Sequence, residues 1–271
     1  MISGLNEEQT KAVLEFAELK VVEMLISIKV SMMKYQNELN ERLLRFYVRH
    51  PDYQSRLRNH VAAALLSVDV RAYVTGMLVQ MLEHFQKNLD ALCLPSNVND
   101  DPVNYALFKS SVSDELAGQR STMKGKITAK LDVSIKQGQD IYLLTKNLLV
   151  YDIKPRPLHF AKFAFLRAAA MDFNKLLPEQ RKSSGSFWEF IDSKLVQVRE
   201  SIREFPKGPE RDLREAEFFA TVLKNDKQLH NKVKAGALTQ QTIKDSDGHE
   251  WQRTMEATVG RFVVEDDELV E

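Results

Sequence analysis

The chain has 271 residues, 44% of them hydrophobic, which is enough apolar matter for one large core or two modest ones. A charged content of 28% is ordinary for a folded protein and excludes wholesale disorder, while only 10 Gly and 8 Pro exclude a collagenous or turn-rich β architecture. Lys+Arg and Asp+Glu balance at 38 each, but the balance is segregated: −2 over residues 1–108, +6 over 109–167, +2 over 168–240 and −6 over 241–271.

The lone Cys93 rules out an intramolecular disulfide and suits a reducing compartment. The start MISGLNEEQ has no basic stretch followed by an apolar one, so no signal peptide is expected. No run of ~18 apolar residues is present either. The expectation is a nuclear or cytoplasmic protein with no membrane partner.

In chain order, Asn6 with Gln9 three residues on forms a capping box that starts a helix. No Gly or Pro follows until His50-Pro51, which predicts one very long helix or two with a break near 35–40. Apolar residues at 14, 17, 21, 24, 25, 28 and 32 keep to one helical face. A single helix over that span is ~60 Å long at 1.5 Å per residue, wider than a compact domain, so it breaks, projects or pairs with a partner helix. Pro51 is the first firm stop. One or two helices then fill 53–94, with Gly76 as a joint. The polar SNVNDD at 96–101 is expected to be a linker and a domain boundary.

Asp101-Pro102 is a helix start, an N-cap acid before Pro at the first helical position. That helix is expected to end at Gly118, with the next one running to about Gln137 and a short one from Asp140 to about Val150. Lys154-Pro155-Arg156-Pro157 forces an extended joint. Leu158 to Leu177 is helical, and Ser186 with Glu189 caps a strongly amphipathic helix that ends before Pro206. A helix from about Glu210 to Asn225 follows, and from Gly236 the chain is expected to be polar and then acidic tail. The fold class is all-α: a multi-helix bundle with a long N-terminal helical region and a C-terminal acidic tail. Its expected units are an N-terminal helical region (1–95), a helical core domain (101–235) and the tail (236–271).

The basic window carries the candidate site. Met123, Ile127, Leu131 and Ile135 make an apolar stripe, and Arg120 and Lys124 lie on that same stripe. Three readings are open for them: a late helix start that frees them to water, internal pairing with Asp114, Glu115 or Asp192, or an external phosphate suited to an Arg fork. Lys126 and Lys130 form an i,i+4 pair to one side, and Lys154, Arg156, Lys162 and Arg167 surround the Pro-bracketed joint. Together these eight cations are the candidate nucleic-acid-binding residues. Tyr142, Tyr151 and Phe160 suit base stacking or core packing. His159, in line with Phe163, Leu166, Ala170 and Phe173, reads as a core or boundary histidine rather than a ligand.

The segments QRSTMKGKI, IYLL, HFAKFAFLR and FWEFIDSKLVQVR, within about 119–199, resemble a block of helical proteins of uncharacterised activity from fungal genomes. The resemblance covers less than a third of the chain and implies a helical fold without an activity. A looser likeness, a basic helix followed by packed helices, is to small DNA-binding modules of the BEN type.

Catalytic motifs do not emerge. Gly125-Lys126 is no phosphate loop, because six residues separate it from Gly118 where four are needed and Ile127 replaces the Ser/Thr. The run from His249 to Arg253 ends in Arg where a zinc-protease motif needs His. Ser183, Ser184 and Ser186 beside Gly185 form no nucleophile elbow. No enzyme activity, metal or cofactor is expected. The tail RFVVEDDELVE pairs Val263 and Val264 with Glu265, Asp266 and Asp267. It resembles the motif that adds to the sheet edge of small ubiquitin-like modifiers, and it equally suits a solvated tail or one folded back on the basic centre. The leading expectation is a non-enzymatic helical protein associated with DNA or RNA through 120–167. The alternative is a protein-interaction or self-association scaffold built on the N-terminal helices, with no nucleic acid.

Overall fold

The structure, a computed structural model, describes residues 6–99, 101–129, 131, 140–151, 153–181, 185–206, 208–230 and 249–261. Among these residues the fold is all-α, with ten α-helices and no strand. No helix among them is long and apolar enough to cross a membrane.

Helix α1 (Glu7–Ala17) starts at the predicted box: the Asn6 N–H donates to Gln9 Oε1 at 3.0 Å and the Gln9 N–H to Asn6 Oδ1 at 2.8 Å. The N-terminal run breaks at 18–20, not near 35–40. Glu23 accepts the backbone N–H of Lys20 at 2.9 Å, so a new helix nucleates there, and α2 (Val21–Arg49) runs unbroken through the expected break. His50-Pro51 then stops α2 and starts α3 (Pro51–Leu66), with the His50 ring accepting the Asp52 N–H.

Gly76 is a joint, as expected. It sits at φ 73°, a left-handed conformation open to glycine, and forms the N-cap of α4 (Met77–Lys87). Residues 96–99 form a 3-10 turn rather than a linker. Val98 is buried in a core that runs without division from Leu44 to Val259, and helices on both sides of 96–101 pack together. The apolar Val98 inside a polar run was the only sequence sign of this.

Asp101 caps α5 (Pro102–Thr128), its carboxylate accepting the Val103 N–H at 2.8 Å. This helix continues through Gly118 and Gly125 as one element. Each glycine costs a helix about 1 kcal/mol against alanine, less than the burial of Phe108, Val112, Leu116, Met123 and Ile127 along one face supplies. Helix α6 (Ile141–Leu148) follows the expected start, with Asp140 as its N-cap, and α7 (Pro157–Lys175) starts one residue before the expected Leu158, with Arg156 extended between the two prolines. Helix α8 (Ser186–Ser201) starts one residue early: Gly185 is its N-cap and Ser186 is already helical, so the Ser186–Glu189 box does not form its cap. Helix α9 is Pro209–His230.

The expected tail contains a further helix, α10 (Glu250–Arg261), packed on α3 and α4. Met255 and Val259 are buried, and the Trp251 ring lies 5.4 Å from that of His60. The spacing Trp251, Met255, Val259 carried this signal inside an otherwise polar stretch. The acidic residues of 262–271 lie outside the described residues.

Candidate interaction surface and the basic centre

Six of the candidate cations, Arg120, Lys124, Lys126, Arg156, Lys162 and Arg167, are held by their own chain. The reason lies in the connection between α3 and α4, residues 67–76, which runs among the helices with its peptide groups needing partners. Arg120 Nη1 donates to the Tyr73 carbonyl at 3.0 Å, Lys162 Nζ to the Val70 carbonyl at 2.9 Å and Arg199 Nη1 to the Arg71 carbonyl at 2.8 Å. From α8, Asp192 accepts the N–H groups of Tyr73 at 2.6 Å and Val74 at 2.9 Å. Four charged side chains from α5, α7 and α8 therefore pin one stretch of backbone. Burial pulls the Arg120 guanidinium down from its usual range, opposed by the nearby Asp192 carboxylate. Burial also raises the pKa of Asp192 itself, against the three backbone N–H groups that favour its charged form. Of the three readings for Arg120, internal partnership with the Asp192 cluster fits this geometry.

Lys162 lies beside a cleft of about 290 Å3 lined by Asp69, Arg71, Leu158, Glu215 and Phe219. Its ammonium is buried over the Phe219 ring, and desolvation lowers its pKa to about 8, with Glu215 opposing. Arg167 is more enclosed still. It forms a two-pronged pair with Asp226 of α9, Nε to Oδ1 at 2.7 Å and Nη2 to Oδ2, with both side chains under 5% exposed. Lys124 lies over the rings of Phe187 and Phe173, and Lys126 Nζ donates to the Asn147 carbonyl at 2.8 Å. Arg156 pairs with Glu256 of α10 at 2.6 Å. The backbone N–H of Lys154 donates to Gln252 Oε1 at 3.0 Å. Lys130, and the tail residues Val263, Val264, Glu265, Asp266 and Asp267, lie outside the described residues.

The seven described cations thus do not gather on one exposed side. Lys162 and Arg167 are core groups, Arg156 and Lys154 tie α10 to the joint, and Arg120 and Lys126 serve backbone carbonyls. Phe160 and Tyr142 are tilted against each other at 4.9 Å with Lys227 over Tyr142, which is packing rather than an open stacking platform. His159 is a core histidine, as expected. Its Nδ1 accepts the Arg156 N–H at 2.8 Å at the start of α7, and burial, reinforced by the Arg156 guanidinium, lowers its pKa to about 4.

The surface without an internal account is α2. Its C-terminal half packs on α3 and α5, with Leu44 buried and Val48 against the core. The face opposite that contact carries Val21, Leu25, Ile28, Met32, Tyr35, Leu39 and Phe46, between 39% and 71% exposed. Their spacing alternates four and three residues from Val21 to Leu39 and skips one turn, at Arg42, before Phe46. This is the heptad pattern of a helix-pairing seam sustained over more than three heptads. On the core-facing side, Val22, Ile26, Val30 and Met33 extend the apolar surface N-terminally, also exposed. The apolar face expected from residues 21, 25, 28 and 32 is the N-terminal half of this seam, and Tyr35, Leu39 and Phe46 continue it.

No protein-family model, curated protein or solved structure matches the chain.

Proposed function

We propose that this protein is a non-catalytic interaction protein whose N-terminal helix α2 docks another protein chain, with the helical body behind it as a rigid mount. The observation that carries this reading is the seam of seven exposed apolar side chains on one face of α2, whose opposite face is anchored to the core over its C-terminal half. Fully burying side chains of this kind stabilises an assembly by ~1.5–3 kcal/mol each, so leaving seven in water is a large unused driving force. Nucleic-acid association through 120–167 draws less support. Lys162 and Arg167 would have to leave a carbonyl and a carboxylate that they serve inside the body.

The test compares the full-length chain with a Leu25→Glu, Met32→Glu variant in two readouts: light scattering of the pure proteins, and the proteins that co-purify with each from cells. The variant is expected to lose an assembly, or a co-purifying partner, that the unaltered chain retains. Identical behaviour in both readouts would sink the reading.

A further inference from the structure

Resting on the reading of α2 as a docking helix, we infer that its partner is a second copy of this chain, paired antiparallel along the seam. Two features of the helix select this occupant and this direction. The first is the match of the layers. Set antiparallel about a point between Met32 and Tyr35, the seam meets itself as Val21 opposite Phe46, Leu25 opposite Arg42, Ile28 opposite Leu39 and Met32 opposite Tyr35. Val21 faces the larger Phe46 and Met32 the larger Tyr35, Ile28 and Leu39 are of one size, and every apolar seam residue has a seam position opposite it. The match follows from the placing of the seam residues within α2 and needs no other protein.

The second is charge. Arg42 and Arg49 occupy seam positions at the C-terminal end of α2, and Phe46 between them opens onto a cleft lined by Arg42, Arg45, Arg49, His50 and Pro51. A parallel pair stacks Arg42 on Arg42 and Arg49 on Arg49 of the other copy, like charges in the dry part of the interface. The antiparallel pair separates them. Arg42 lies along the aliphatic Leu25 with its guanidinium reaching the edge, and Arg49 falls beyond the N-terminal end of the partner copy's α2, which begins at Val21, where it reaches water. Opposed helix dipoles add to the same preference. Leu44 and Val48, which anchor α2 to its own body, point away from the seam, so pairing does not compete with the fold.

The experiment uses full-length protein with Cys93→Ser, so that introduced thiols are the only ones present. Leu25→Cys and Arg42→Cys proteins are oxidised alone and as a mixture, and the disulfide-linked species are weighed. The expected result is a mixed 25–42 disulfide from the mixture and none from either protein alone. In the antiparallel pair, like positions stand about 25 Å apart along the axis. A Leu25→Cys disulfide with itself overturns the antiparallel direction while leaving α2 an interaction face. A monomeric mass with no disulfide in any sample overturns self-pairing, and the co-purification comparison above then decides whether α2 docks a foreign chain. Met32→Glu, which places a carboxylate in two layers beside the two-fold axis, is expected to weaken the pair at least ~100-fold. An unchanged dimer would contradict the inference.

Discussion

Helices α7 and α2 invert the usual division of side chains in opposite ways. α7 carries Lys162 and Arg167 into the interior, where burial of charge is expensive. α2 carries a row of Val, Leu, Ile, Met, Tyr and Phe into water. In α7 each anomaly is resolved nearby: Val70 offers a carbonyl to Lys162, and Asp226 offers both oxygens to Arg167. Among the described residues nothing covers the seam of α2. The comparison separates two kinds of exception. A buried cation that meets a carbonyl or a carboxylate of its own chain is explained by the backbone and acids around it. An apolar seam left open among the described residues is what the proposed docking of a second chain accounts for.

Disturbing the α7 side of the comparison is expected to give the largest effect. Arg167→Ala leaves the buried Asp226 carboxylate with only the His230 ring 3.9 Å away, and should lower stability by ~3–5 kcal/mol in urea unfolding of the full chain. Replacing both partners, Arg167→Met with Asp226→Leu, should cost much less. If the single and double changes cost the same, the pair is not the tie described.

Next in size is the acid limb. The unfolded chain takes up a proton on His159 near 6.5, while the folded chain does so only near 4. Stability contributed by the neutral ring is therefore complete above 6.5 and declines as pH falls toward 4, by roughly 3 kcal/mol over the window. His159→Gln keeps an acceptor for the Arg156 N–H and removes the titration, so its unfolding free energy should fall less steeply between these pH values. His60, His84 and His230, also lowered by burial, contribute to the slope that remains. An unaltered slope would place the effect elsewhere.

The smallest stability effect is predicted on α2. Leu25→Glu changes an exposed side chain, so under dilute conditions where the chain is monomeric it should shift unfolding by less than about 0.5 kcal/mol. A large loss there would mean that Leu25 is packed within its own chain, and the comparison between the two helices would lose its second half.

What the sequence disclosed follows the range of each signal. Local chemistry was readable: the Asn6–Gln9 box, Pro51, the Asp101-Pro102 start, the Pro-bracketed joint and the central place of His159 all depend on residues within a turn of one another. Tertiary partnership was not. The +6 window reads as a surface because its carbonyl acceptors at 70 and 73 and its acids Asp226 and Glu256 lie dozens of residues away. α10 reads as tail because its three apolar residues sit in polar company, and their burial depends on α3 and α4. Gly118 reads as a helix end because its cost is local, while the burial that outweighs it is spread along the whole of α5. The seam of α2 was within reach of the sequence, since a heptad needs no fold to be counted.

The most direct measurement is amide hydrogen exchange of the full-length chain over a wide range of protein concentration, followed in peptides from 21–36 and from 157–175. Self-pairing predicts protection of 21–36 that rises with concentration, beside protection of 157–175 that stays constant. Protection of 21–36 that is the same at every concentration would contradict the claim that a second copy covers α2.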